Sequence, residues 1–321
     1  MKRIEHLIAG GKCFHIDPSA CMQHAESIRL FKPSQEVHAW SHLPKSTQLV
    51  FKVAFISICH QMNWDFLQDA LARNLLSNNA NILENLSNVS PMDISAWLGN
   101  YPKKERIRAK ERAHLLRDVF QVLATEFNSD PDYFYQNCAE AQLGNNGFHA
   151  LLDKFESYRT DPLRKKTNVL THDLYKEKIV NFSDSQNIEP AVDYHIMRLY
   201  LRTGRVVPAD ESIFSFLEGE PKPRGSLVRQ LRRQVSEAAK LTAYYANLNV
   251  AEVNYIEWQI GRSICHNKQP ECQKTEGEIL VAKDVRKLFT GRCPYMSSCL
   301  SYNQLPRFID FEEPIYISKH Y

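Results

Sequence analysis

Apolar residues return at three- and four-residue spacing along most of this 321-residue chain, and only 11 glycines are available for tight turns. That period marks helices that bury one face, whereas half-buried strands alternate with a period of two. No run of alternating β-branched residues bounded by turn residues competes with it. The pattern therefore predicts an all-α fold. Helices are expected over 46–76, 93–100, 104–127, 148–158, 161–182, 191–204, 226–248 and 250–265, most of them opened by a capping residue or proline. Loops are expected at 88–93, 219–225 and 303–314, and no repeat, low-complexity tract or heptad seam is visible.

A chain of this length with 43% hydrophobic residues can bury one large core or two modest ones. Its formal charge of +3 is small, so attraction to a polyanion must come from where the cations sit. The amino-terminal stretch MKRIEHLIAGGKCFHID is too short and too polar for a secretory signal, and no apolar run approaches the length of a membrane span. A soluble, cytoplasmic and monomeric protein is expected, with no membrane partner.

The eight cysteines fall into two sets. Cys13, Cys21, Cys59 and Cys138 stand singly among apolar or turn residues, where a reduced thiol behaves as a small core hydrophobe. Cys265, Cys272, Cys293 and Cys299 are separated by six, twenty and five residues near the end of the chain. Thiolates are soft ligands, and four of them can complete either a zinc site or an iron–sulfur cluster. Zinc knuckles usually hold about two to four residues between paired ligands. The wider gaps here favour the iron–sulfur reading and leave zinc as the alternative.

Positive charge gathers in two runs. Lys103, Lys104, Arg106, Arg108, Lys110, Arg112 and Arg117 are interspersed with Glu105 and Glu111, a pattern that fits either a solvated helix face or a phosphate surface. Arg229, Arg232 and Arg233 lack an acidic neighbour in their turn and are the stronger phosphate-binding candidates. Farther along, Asp193 in AVDYHIMRLYLRTG stands where an aspartate would cap a helix, and it is also a lone carboxylate of the kind a hydrolytic site requires. In ICHQMNWDF, His60, Gln61, Asn63 and Trp64 have the composition of a pocket for an extruded base, placed within an otherwise apolar helix.

The stretch from Ala191 to Cys272 resembles the endonuclease III branch of the helix-hairpin-helix DNA glycosylase superfamily. Val192-Asp193-Tyr194-His195 is similar to the segment that supplies the family's catalytic aspartate, and Gly261-Arg262-Ser263-Ile264-Cys265 to the helix end that leads into the first cluster ligand. The gaps of six and five residues match the family's first and last cluster gaps, whereas the twenty-residue middle gap exceeds its usual two. The family's glycine-rich hairpin is missing, since no glycine occurs between Gly147 and Gly204. A substitute is expected in NVLTHDLYKEKI, with Thr171 or Asp173 capping a helix toward phosphate. Glu189-Pro190-Ala191-Val192-Asp193-Tyr194 is similar in style to divergent members, among them archaeal oxoguanine and queuosine-nucleotide glycosylases.

The resemblance implies two helical lobes, a [4Fe-4S] cluster on the four cysteines and duplex DNA with a damaged or modified base as partner. It implies residues 1–49 packing on the cluster lobe, 50–185 as a helical barrel lobe with a degenerate hairpin, and 186–321 as the lobe of the aspartate and cluster. Asp193 would be catalytic, and Arg262 and Lys176 would join the DNA contacts. The family's lysine nucleophile would fall at Tyr175, with Lys176 and Lys178 nearby, which favours a monofunctional enzyme that uses water. Host repair and defence against modified foreign DNA would use the same chemistry. Two other readings are a glycosylase of a free modified nucleotide and a metal-stabilised DNA-binding protein in which Asp193 only caps a helix.

Overall fold

The computed structural model describes residues 11–31, 38–76, 81–144, 146–161, 163–218, 225–267, 269–273, 293–303, 306–311 and 313. These residues are mostly helical, and one two-stranded sheet is found among them. The chain separates into two units, one joining Met1–Ser34 to Glu189–Ile317 and the other formed by Gln35–Ile188 with Ser318–Tyr321. None of the described helices is long and apolar enough to cross a membrane.

The first unit opens with β1 (Phe14–Ile16) and α1 (Pro18–Ile28). Asp17 caps α1, accepting from the amide of Ala20, and Pro18 occupies the first turn, where its missing N–H costs nothing.

The second unit holds α2 (Lys45–Ser57), α3 (Trp64–Leu75), α4 (Ile82–Asn88), α5 (Pro91–Trp97), α6 (Ala109–Glu126), α7 (Pro131–Glu140), α8 (Phe148–Leu152), α9 (Glu156–Arg159) and α10 (Lys165–Lys176). Its core centres on α2, which is buried nearly all round and touches α3, α4, α6, α7 and α10. A helix so placed cannot be amphipathic, and its polar residues must find partners inside. Lys52 donates to the carboxylates of Asp173 at 2.9 Å and Glu177 at 2.5 Å, which hold its pKa above the usual lysine range despite burial.

The chain then returns to the first unit with α11 (Tyr194–Thr203), β2 (Val206–Pro208), α12 (Glu211–Leu217), α13 (Gly225–Ala246) and α14 (Val250–Ser263). β1 pairs antiparallel with β2 in the register Phe14↔Pro208, His15↔Val207 and Ile16↔Val206. α1 lies along α13, and α11 packs against α14 and α13. Among the buried side chains, Arg205 pairs with Glu257 and stacks over Tyr200, 3.6 Å from its ring centre.

The structure departs from several expectations: Arg108 at φ 47° breaks the helix expected over 104–127, the one expected over 148–158 is the two short helices α8 and α9, and the end of the loop expected at 88–93 belongs to α5. The helix expected over 46–76 breaks between Ser57 and Trp64, because Gln61 takes a left-handed φ of 55° and Asn63 starts a new helix by accepting from the amide of Phe66. Neither Thr171 nor Asp173 caps a helix, since both lie inside α10, where the Thr171 hydroxyl donates to the Thr167 carbonyl and Asp173 holds Lys52. The turn into α10 manages without glycine. Arg164 adopts the left-handed conformation at φ 49°, and the Asp161 carboxylate accepts from the amide of Lys166 at 2.8 Å.

The same turn buries Lys166, whose ammonium donates to the Ser57 carbonyl at 2.5 Å at the end of α2. Desolvation pulls its pKa from 10.5 down to about 8. Between those values the unfolded chain carries a proton that the folded chain has released, so stability rises with pH in this window. Relative to Lys166→Met, the wild type should gain up to about 3 kcal/mol from pH 8 to 10.5 in denaturant titrations; a constant difference would contradict a neutralised buried amine.

Candidate active site and cysteine loop

Asp193 is the N-cap of α11, with its Oδ1 accepting from the Ile196 amide at 3.1 Å, and only 4% of the residue is exposed. A carboxylate in this position is favoured as the anion by the partial positive charge of the helix end. The approach is fixed on both sides: the Ala191 amide donates to Asn254 Oδ1 at 2.9 Å, and Glu189 accepts from Lys240 at 2.8 Å. Tyr194 follows with its side chain half-exposed, its ring 4.1 Å from that of His195.

Two arginines on α11 point inward. Arg198 and Arg202 are both buried. Arg198 donates from Nε to the Cys265 carbonyl at 3.0 Å, from Nη2 to the Gly261 carbonyl at 3.2 Å and from Nη1 to Glu313 at 2.8 Å. Its Nη2 also meets His195 Nδ1 at 3.0 Å. One turn on, Arg202 donates to the His266 carbonyl at 2.5 Å and the Asn267 carbonyl at 2.7 Å, and reaches Cys265 Sγ at 3.8 Å. The helix that begins at Asp193 thus grips the backbone around the first cysteine.

The cysteine loop is closed on itself as well. Glu271 donates its amide to the Ile264 carbonyl at 2.8 Å, which folds the segment between Cys265 and Cys272. Between Cys293 and Cys299, Tyr295 is fully buried, its hydroxyl donating to Glu257 at 2.8 Å and its ring meeting His24 edge-on at 4.8 Å. Cys299 Sγ donates to the Arg202 carbonyl at 3.6 Å.

The four thiols feel one another. Burial is the larger cause, and the neighbouring Cys265 and Cys299 the next, in raising Cys272 to about 12. Burial and the charges of Cys265, Cys299 and Cys272 likewise raise Cys293 well above the thiol range, and burial raises Cys299. Among the described residues, no group of three or more His, Cys, Asp or Glu side chains is arranged to hold a single metal ion. The insertion between Cys272 and Cys293 lies almost wholly outside the described residues.

On α13, Arg229 and Arg233 are exposed one turn apart, whereas Arg232 turns inward and is 7% exposed. Arg262 is half-buried, its guanidinium 4.6 Å from the ring centre of Trp258. In the second unit, Tyr175 packs against the core, Lys176 ends α10 half-buried and Lys178 is exposed with a φ of 53°. His60, Gln61 and Asn63 belong to the loop after α2 and Trp64 opens α3, packed edge-on against Phe55 at 4.5 Å. His60 is buried 3.2 Å from Glu111, and Gln61 accepts from Arg108 at 3.4 Å.

Arg198, Arg202 and Tyr295 were not foreseen as parts of this site. A weak signal existed in the spacing of the two arginines, one helical turn apart on a helix whose other face is apolar. No family model matches the chain, and no curated protein matches it significantly.

Gly261 explains why the approach to Cys265 carries a glycine. A Cβ there would stand 2.8 Å from the His195 carbonyl oxygen and 3.1 Å from its carbon, so α14 and the first turn of α11 could not keep their spacing. Gly261→Ala is expected to cost about 1–3 kcal/mol in chemical denaturation, and a loss below about 0.5 kcal/mol would show that the contact is slack.

Proposed function

We propose that the chain is a DNA N-glycosylase of the helix-hairpin-helix type that excises a damaged or modified base and leaves an abasic site. The observation that carries this reading is a buried carboxylate, Asp193, at the start of a helix whose Arg198 and Arg202 hold the loop of Cys265. Cleavage of an N-glycosidic bond builds positive charge on the sugar at C1′ as the bonding pair departs with the base. Asp193 would stabilise that oxocarbenium character and take a proton from the attacking water as its oxygen bonds to C1′. The position where the family keeps a lysine nucleophile is Tyr175, so hydrolysis by water without lyase chemistry fits best.

The thiols of Cys265, Cys272, Cys293 and Cys299 suit a [4Fe-4S] cluster. The gaps of six, twenty and five residues between them are wider than the short knuckles usual for zinc, which favours the cluster. Such a cluster would supply charge and rigidity to the loop, while Arg198 and Arg202 keep its backbone in register with α11. Arg229 and Arg233, exposed on one face of α13, and Arg262 are the phosphate-contact candidates of this unit.

Duplexes bearing a panel of damaged and naturally modified bases, followed by alkaline cleavage, would test the reading. The wild type should generate abasic sites in one of them. Asp193→Asn keeps an acceptor for the helix cap, so it should bind the same duplex while excision falls by about 10²–10⁴-fold. Undiminished excision by that variant would remove Asp193 from catalysis, and base release from free nucleotides but never from duplexes would remove DNA as substrate.

A further inference from the structure

The first cationic run becomes informative once its setting in the second unit is known. Residues 103–112 hold six basic and two acidic residues. Lys103, Lys104, Arg106 and Lys110 are all exposed, on the short 3-10 turn Lys104–Arg106 and at the start of α6. On an ordinary solvated helix these cations would lie around a cylinder and pair with the acids beside them. Here the chain is not helical throughout, since Arg108 adopts the left-handed conformation at φ 47° and separates the turn from α6.

The two acids compensate little of this charge. Glu111 is engaged by Arg108 at 2.5 Å and by His60 at 3.2 Å, and Glu105, 74% exposed, stands 4.0 Å from Arg106.

What fixes the turn is a cation that never reaches solvent. Arg112 is fully buried and donates to four carbonyls: from Nε to Ile107 at 2.8 Å, from Nη2 to His60 at 2.9 Å and Arg106 at 3.1 Å, and from Nη1 to Ile58. One guanidinium therefore ties both sides together, the loop 58–63 and the cationic turn. Arg108 adds the contact to Gln61, and the Asn63 amide donates to the Tyr101 hydroxyl at 3.1 Å just before the turn. A rigid turn with several outward cations loses little conformational entropy when it meets a polyanion.

We propose that Lys103, Lys104, Arg106 and Lys110 form a phosphate-tracking surface for duplex nucleic acid, held beside the loop 58–63 by Arg112. The proposal rests on the nucleic-acid reading above and adds to it a contact surface on the second unit. Phosphate contacts of this kind give affinity and register without reading sequence. Duplex is the fitting partner because these side chains offer exposed point charges, with no row of exposed aromatic rings among them on which single-stranded bases would stack.

The test uses the full chain and a duplex of ordinary bases, so that no excision is needed for the readout and the result is independent of Asp193. Binding would be followed by fluorescence anisotropy over a salt series for the wild type, for Lys103→Gln/Lys104→Gln/Arg106→Gln/Lys110→Gln, and for the control Lys45→Gln/Arg159→Gln, whose cations are also exposed on the same unit. Each lost phosphate contact flattens the slope of log K against log salt by about 0.9. The fourfold variant should flatten it by about 2 to 4, with an unchanged thermal melt, while the control keeps the wild-type slope. An unchanged slope in the fourfold variant would overturn the proposal. So would equal flattening in the control, which would reduce the effect to bulk charge, or loss of binding to phosphatidylserine vesicles with an unaltered duplex isotherm.

Discussion

The first unit depends on guanidinium groups satisfied by backbone carbonyls. Arg198 and Arg202 rise from the same helix that Asp193 caps, and between them they take the carbonyls of Gly261, Cys265, His266 and Asn267. Burying a cation without partners is prohibitive, and carbonyl dipoles converging on it make the burial tolerable. The consequence is geometric. The end of α14 and the loop after it cannot move relative to α11 without stranding a charge, so the carboxylate and the first thiol belong to one rigid frame.

The same device recurs. Arg112 in the second unit joins the loop after α2 to the turn before α6, and Lys166 closes the end of α2 through the Ser57 carbonyl. Arg205 and Glu257 form a buried pair whose carboxylate also receives the Tyr295 hydroxyl from the loop between Cys293 and Cys299. Pairs of this sort contribute little net stability compared with an apolar core, but removing one partner leaves an uncompensated charge. They act as constraints on arrangement, and they lie where irregular backbone, including the cysteine loop, has to be held in place.

Helices in the expected segments were readable because the period of apolar residues is local, whereas α1, α4, α7 and α12 were not among the expected helices although each carries its own cap. Asp17-Pro18, Ser90 with Asp93, Asp130-Pro131 and Asn249 with Glu252 all cap as their chemistry suggests. The pairing of β1 with β2 was not readable, since two three-residue segments nearly two hundred positions apart carry no alternation to register. The break after Ser57 was hidden for a related reason: apolar residues continue through Ile58 and Met62, and only the cap at Asn63 betrays a second helix. Asp193 was legible as a cap, and the structure bears that out, while its proposed chemistry comes from the resemblance of its segment to the glycosylase family. Arg198 and Arg202 look like surface cations until the carbonyls they meet are known, and Arg232 looks like a phosphate contact until its burial is known.

We propose that Cys265, Cys272, Cys293 and Cys299 would serve as one ligand set for a cluster of several irons. Iron, zinc and acid-labile sulfide analysis of anaerobically purified protein, with its visible spectrum, addresses this most directly. The expected result is about four iron and about four sulfide per chain with broad visible absorption, all lost in Cys272→Ser. A colourless protein carrying one zinc, or iron retained in full by Cys272→Ser, would contradict it.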